Sequence, residues 1–247
     1  MDGEKLLFDP FLSRNDKLYK PPIDELSGIM SIFVTHGHLD HIADIPAIWE
    51  HGRRMATIFC TAKPKETLML KSVADKNIHM VAPGDTLSAK PFTVRVLRGK
   101  HIVFDKFLVL RKLLNPRVFI HWSSLRSLLK ENKVCVEAGE TVAYDIDAKN
   151  KRILLLGSMN LDDNTQYPIG VDLLILPFQG HSCISKYAID IISRLKPKKV
   201  LLDHYDNTFP PISSAEKTDN FLSQMRRKYP DIAVIYQPPS AEWIEIE

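Results

Sequence analysis

The chain has 247 residues, 45% hydrophobic and 26% charged, which suits one large domain with a sizeable core. Its 33 basic and 30 acidic residues leave a formal charge of +3, too small an excess for a broad nucleic-acid footprint. Cys60, Cys135 and Cys183 show no paired spacing, no stretch approaches the roughly 18 apolar residues of a membrane span, and no signal peptide follows the acidic start Met1-Asp2-Gly3-Glu4, so a cytoplasmic protein is expected.

Along the chain, the apolar run Ile29 to Val34 predicts a buried strand. Directly after it, Thr35-His36-Gly37-His38-Leu39-Asp40-His41 places three imidazoles and a carboxylate within positions 36–41. Neutral imidazole and carboxylate are ligands for zinc, iron and manganese, and crowding them is tolerable when a cation offsets their desolvation. Period-two geometry puts His36 and His38 on the same side, with Gly37 easing the turn between them. A helix is predicted over 42–51 from Ile42, Ile45, Ile48 and Trp49, letting Asp40 and His41 face a second ion. A capping role would account for Asp40 but not for the three histidines.

Further strands are predicted over 57–60, 92–96, 173–176, 200–203 and 232–236, with a hairpin joining 142–146 to 153–156 through a polar turn at 147–151. Helices are predicted over 63–74, 185–195 and 213–229. The stretch from Ile102 to Lys133 carries large apolar residues at helical spacing, broken at Pro116, and reads as extra core, a cap over a cleft or a dimer contact. His181, in Gln179-Gly180-His181-Ser182-Cys183, is a candidate substrate contact or a plain loop residue. With Cys183 it forms the alternative of a nucleophilic pair.

The motif His36-x-His38-x-Asp40-His41 after a buried strand resembles the signature of the metallo-beta-lactamase superfamily. More narrowly, the chain is similar to the branch of ascorbate-6-phosphate lactonase-like proteins and N-acylphosphatidylethanolamine phospholipases. Leu6-Leu7-Phe8-Asp9-Pro10-Phe11 resembles that family's second strand and its Asp-Pro turn. The run Ala82 to Leu87, the 92–96 strand and His101 resemble the approach to its third histidine. Val171 to Pro177 resembles its late core strand, and Lys198 to Asp206 its last strand and terminal histidine. The resemblance implies an α/β fold, a four-layer αβ/βα sandwich with two central mixed sheets, made by residues 1–247 as one domain with room for a helical cap insertion at 102–133. It implies one or two divalent ions, zinc first and manganese or iron next. His36, His38 and His101 would hold one ion, Asp40, His41 and His204 the other, with Asp9 supporting the ligands from behind.

Two departures stand out. Family members usually carry a bridging aspartate in a Gly-Asp pair at a strand end, where this chain has Gly157-Ser158. A serine hydroxyl is a weak neutral ligand, whereas a carboxylate brings a full charge and two oxygens, so the second ion should bind more weakly. The outcomes left open are a single-metal enzyme, a two-metal enzyme rescued by Asp162 or Asp163, or a degenerate site. With Asn160 and Asn164, those two aspartates also read as a solvated turn. The second departure is the short segment ahead of Leu6, which predicts a sheet edge open to a second copy of the chain, or a shortened gene start. The expected activity is metal-dependent hydrolysis of an ester, lactone or phosphodiester bond in a small molecule, with Asp40 orienting water or binding the second ion. The alternatives are a non-catalytic metal-binding or metabolite-sensing protein and a nuclease. Neither nucleic acid nor membrane is an expected partner, and a homo-oligomer is.

Overall fold

The structure is a computed structural model that describes residues 4–12, 14–103, 105, 126, 135, 138–208, 210 and 213–236. These residues form two sheets. The smaller contains β1 (Leu7–Phe8), β2 (Ser31–Phe33), β3 (Thr57–Cys60) and β4 (Ile78–Met80), side by side in that order and parallel throughout. The larger contains β5 (Thr86–Ala89), β6 (Phe92–Arg98), β7 (Val142–Ala148), β8 (Lys151–Leu155), β9 (Leu173–Pro177), β10 (Lys199–Asp203) and β11 (Ala233–Ile235). Its order is β11-β10-β9-β8-β7-β6-β5, antiparallel from β5 to β8 and parallel from β8 to β11.

Strand alternation divides the apolar residues among three cores, which makes the stack four layers deep. In β2, Ile32 packs with the helices α2 (Leu39–Ile42), α3 (Ile45–His51) and α4 (Ala62–Leu70), while Phe33 points the other way into the space between the sheets. In β8, Leu155 joins that central core and Leu154 packs with α5 (Ile184–Leu195) and α6 (Asp219–Lys228) on the far side. Phe8, Phe33 and Phe59, on neighbouring strands of the smaller sheet, stack at 5.0 and 4.7 Å. Tyr144 packs edge-on to Phe33 and donates its buried hydroxyl to the Val34 carbonyl at 2.6 Å, tying the two sheets together beside the histidine cluster.

Several elements differ from the sequence reading. The helix predicted over 42–51 is two helices, because Pro46 has no N–H to continue the hydrogen-bond ladder and Asp44 at the junction is held by the Leu12 amide and Arg14. The predicted 147–151 turn is only Lys149-Asn150, both at positive φ, so the flanking strands run longer than expected. The helix predicted from 213 starts at Asp219; upstream, the Glu216 amide is already donated to Tyr205 O. A short helix that the sequence did not predict, α1, covers Ile23–Ser27, and β4 and β5 are likewise additional. Among the described residues β1 is the outer strand of the smaller sheet. The cap predicted at 102–133 lies outside the described residues, apart from 102, 103, 105 and 126.

The C-terminal ends of β2, β6, β8, β9 and β10 all open on one cleft, the usual place for a ligand in an open α/β sheet.

Candidate metal centre

The histidine cluster starts where β2 ends, and its backbone is fixed from three sides. The Thr35 amide donates to Asp9 Oδ1 at 2.7 Å, the Thr35 carbonyl accepts from Val142 N at 3.0 Å, and the Gly37 amide donates to Ala138 O at 2.8 Å. His38 then sits at the N-terminal boundary of α2, whose first turns carry Asp40 and His41. His101 arrives from the loop after β6, and His204 from the end of β10.

These side chains form two adjacent triads. In His36, His38 and His101 one nitrogen from each ring lies within 4.8 Å of the others. His36 Nε2 and His38 Nδ1 are 3.1 Å apart, close to the separation of about 3.3 Å expected for two nitrogens each about 2.0–2.1 Å from a tetrahedral zinc. The second triad is Asp40, His41 and His204, under the same 4.8 Å limit. Asp40 Oδ1 is 3.8 Å from His41 Nε2 and its Oδ2 is 3.7 Å from His204 Nδ1. The His36 and His41 rings, 3.9 Å apart between centroids, join the two halves.

The surroundings orient three of these rings. Thr35 Oγ1 donates to Asp9 Oδ2 at 2.6 Å and therefore accepts from His36 Nδ1 at 3.0 Å, which leaves the unprotonated Nε2 of His36 turned to the cleft. His101 Nδ1 donates to the Ile102 carbonyl at 2.8 Å, which places the proton of that ring on Nδ1. His41 Nδ1 is 2.8 Å from Asp9 Oδ2, so its Nε2 faces the cleft. One carboxylate and one hydroxyl thus orient two imidazoles, an arrangement that raises ligand basicity in metal sites.

The electrostatics of the halves differ. Burial, then the neighbouring histidines, push His36 well below the usual imidazole range, and burial lowers His101, so both are neutral at pH 7. Burial opposes the charging of His41 too, but Asp9 and Asp40 together outweigh it and push its pKa up to about 9. Burial would raise Asp40, yet His41, His204 and His38 hold it below the ordinary carboxylate value. In the metal-free chain His41 therefore carries a proton that a cation would displace. The donor set of imidazole nitrogens and a carboxylate fits a divalent transition-metal ion.

The other sequence-named residues fall into two groups. Asp9 stands directly behind the cluster, and Ser158 lines the cleft, its Oγ accepting from the Ile102 amide at 3.0 Å. Asp162, Asp163 and His181 do not line it. Asp162 Oδ1 accepts from Asn164 N and Thr165 Oγ1 in its own turn, and Asp163 is exposed beside Lys100 and Arg194, so neither replaces a bridging carboxylate at Ser158. His181 Nδ1 accepts from the Cys183 amide and its ring packs on Tyr187, which turns it from the cleft and away from any pairing with the Cys183 thiol through that nitrogen. Thr35 was not singled out by sequence; only its position, between a strand and the first ligand, hints at its role. Gln179 and Gly180 are further lining residues without a sequence signal.

The Beta-lactamase superfamily domain matches residues 4–205, a span that includes all of these side chains from Asp9 to His204. The chain belongs to the beta-lactamase superfamily. Similar superfamily proteins include the UPF0173 metal-dependent hydrolase of Methanopyrus kandleri, 23% identical over 249 aligned positions covering 98% of this chain and 93% of that protein. The UPF0173 metal-dependent hydrolase of Thermococcus kodakarensis is 29% identical over 214 positions, covering 85% and 81%. In fold the chain resembles Igni18, a metallo hydrolase from Ignicoccus hospitalis, with a TM-score of 0.59, 19% identity and coverage of 97% and 89%. It also resembles CmlA, a diiron beta-hydroxylase from Streptomyces venezuelae (TM-score 0.61, 13% identity, 95% of this chain and 50% of that one), and Zn(2+)-bound PqqB from Methylobacterium extorquens (TM-score 0.53, 14% identity, 85% and 72%). Among the described residues of this superfamily member, no helix is long and apolar enough to cross a membrane.

Proposed function

We infer that this chain is a metal-dependent hydrolase of the metallo-beta-lactamase fold, acting on an ester, lactone or phosphodiester bond of a small molecule. The observation that carries this reading is the convergence of His101 and His204, remote in sequence, on the 36–41 cluster to complete two triads of metal-ligand type. The similarity to UPF0173 metal-dependent hydrolases supports the same activity. A bound divalent cation would bring the pKa of a water towards about 7 and polarise the oxygen of the scissile bond.

The chain's own residues supply the rest. His36, His38 and His101 would hold one ion; His41 and His204, with Asp40, would hold the other. Asp40, kept ionised, accepts a hydrogen bond from the attacking water and fixes its direction. Asp9 and Thr35 keep the His36 and His41 rings in register. Gln179 and Gly180 face the space where substrate enters. Zinc is the first choice of metal because nitrogen donors predominate, and PqqB is a zinc-bound relative in fold; CmlA, a diiron protein, makes iron the next choice, with manganese after it. The similarity to the lactonase and phospholipase branch favours small phosphorylated or acylated substrates, and the balanced charge disfavours a nuclease.

The test is to purify the chain without chelator, count metal ions per chain, and screen esters, lactones and phosphodiesters. Metal with turnover, both lost in His38→Ala, is the expected result. Metal without turnover on any of these classes favours the sensing reading that Ser158 motivates, and a folded chain without affinity for divalent metal refutes both.

A further inference from the structure

The six side chains of the two triads carry one negative charge among them, that of Asp40. Asp9 adds a second, but its oxygens are committed to Thr35 and His41 behind the ligands. Two dications in this setting would leave a large positive excess in a largely buried place, where Coulomb repulsion is weakly screened. That excess opposes the entry of a second ion once one of the halves is filled.

Ser158 is placed to receive what is missing. It is 8% exposed and lines the cleft with both triads. Its Oγ accepts from the Ile102 amide at 3.0 Å, so the hydroxyl hydrogen points elsewhere, and it donates to no partner among the described residues. A buried hydroxyl that lines a cleft able to hold cations can donate to an oxygen that carries negative charge. The position is rigid: a Cβ on the preceding Gly157 would come within 2.5 Å of Thr35 Cβ and 2.6 Å of Val142 O, so the end of β8 is pressed against the backbone that carries His36.

We propose that Ser158 marks an oxyanion subsite, and that the second cation is taken up together with an oxyanion, a carboxylate or phosphate group of the substrate, that accepts from the Ser158 hydroxyl and supplies the missing negative charge. The chain thereby selects small substrates bearing such a group next to the bond to be cut. This rests on the metal reading above.

The experiment is equilibrium dialysis of the full chain against zinc at fixed pH, with and without methylphosphonate or acetate, counting zinc per chain by plasma mass spectrometry. About one ion per chain is expected without the anion and about two with it, since a ligand that favours the doubly loaded state shifts occupancy by mass action. Ser158→Ala should lose the response to anion, and Ser158→Asp should hold about two ions without it. Two ions in the unmodified chain without anion, one ion whatever the anion, or an undiminished anion response in Ser158→Ala would each overturn the proposal while leaving the metal reading intact. No zinc under any condition would instead overturn the metal reading. The unmodified chain alone decides the main point if Ser158→Asp fails to fold.

Discussion

His36, His38 and His101 meet the cleft as uncharged donors at least in the two rings whose second nitrogen is tied to a neutral oxygen, Thr35 Oγ1 or Ile102 O. Asp40, His41 and His204 meet it as a charged set, with a protonated imidazole clasped between two carboxylates in the metal-free chain. Both halves are assembled from neighbouring backbone, yet one is ready for a cation at neutral pH and the other must first release a proton. On the proposed metal reading, equal numbers of ligands therefore would not make equal sites, and the oxygens behind the imidazoles would decide the order of filling.

The largest effect that would break this comparison comes from the first half. His38→Ala removes one of its three nitrogens, and turnover should fall to the background of buffer while metal content drops; retained turnover would count against the assignment. Gly157→Ala comes next, since its methyl would collide with Thr35 and the Val142 carbonyl. Urea unfolding should report a loss of about 1–3 kcal/mol, with weaker metal binding because the Thr35 loop shifts.

Asp9→Asn sharpens the contrast between the halves. It removes the charge behind His41, so metal affinity measured by competition with a chelator should fall about 10–100-fold, chiefly in the Asp40, His41, His204 half. An equal loss in both halves would show that Asp9 acts through Thr35 instead.

The smallest effect is one of pH. His41 in the folded metal-free chain has a pKa of about 9 against the ordinary 6.5, so its pairing with Asp9 stabilises the fold fully below about 6.5 and ceases to do so as pH rises through about 9. The urea midpoint of the metal-free protein should decline over that window, and the decline should flatten in Asp9→Asn. Over the same window the second half should bind metal more tightly as its proton leaves, whereas His36 and His101, already neutral, should give the first half little change.

The layers of the sandwich were legible because apolar runs such as 57–60 and 173–176 alternate with amphipathic helices, and the strands formed where those runs lie. The 36–41 cluster was legible because its ligand types are adjacent in sequence. The positions of His101 and His204 came from resemblance to a family, since no local pattern links them to a cluster so far away. What sequence left hidden depends on hydrogen-bond direction and backbone twist. Thr35 has an ordinary residue type for a strand end, and its value lies in donating to Asp9 while accepting from His36. Asp9 and His204 both adopt left-handed φ, 43° and 57°, which turns each side chain towards the centre and leaves no mark in composition. Asp162 and His181 looked close to the cleft in sequence, but nearby amide groups had already claimed them.

Anomalous diffraction at the absorption edge of the bound metal, from a crystal grown without chelator, tests the centre most directly. A peak ringed by His36, His38 and His101 is expected. A structure in which those three imidazoles stand apart, with no peak between them, would contradict it.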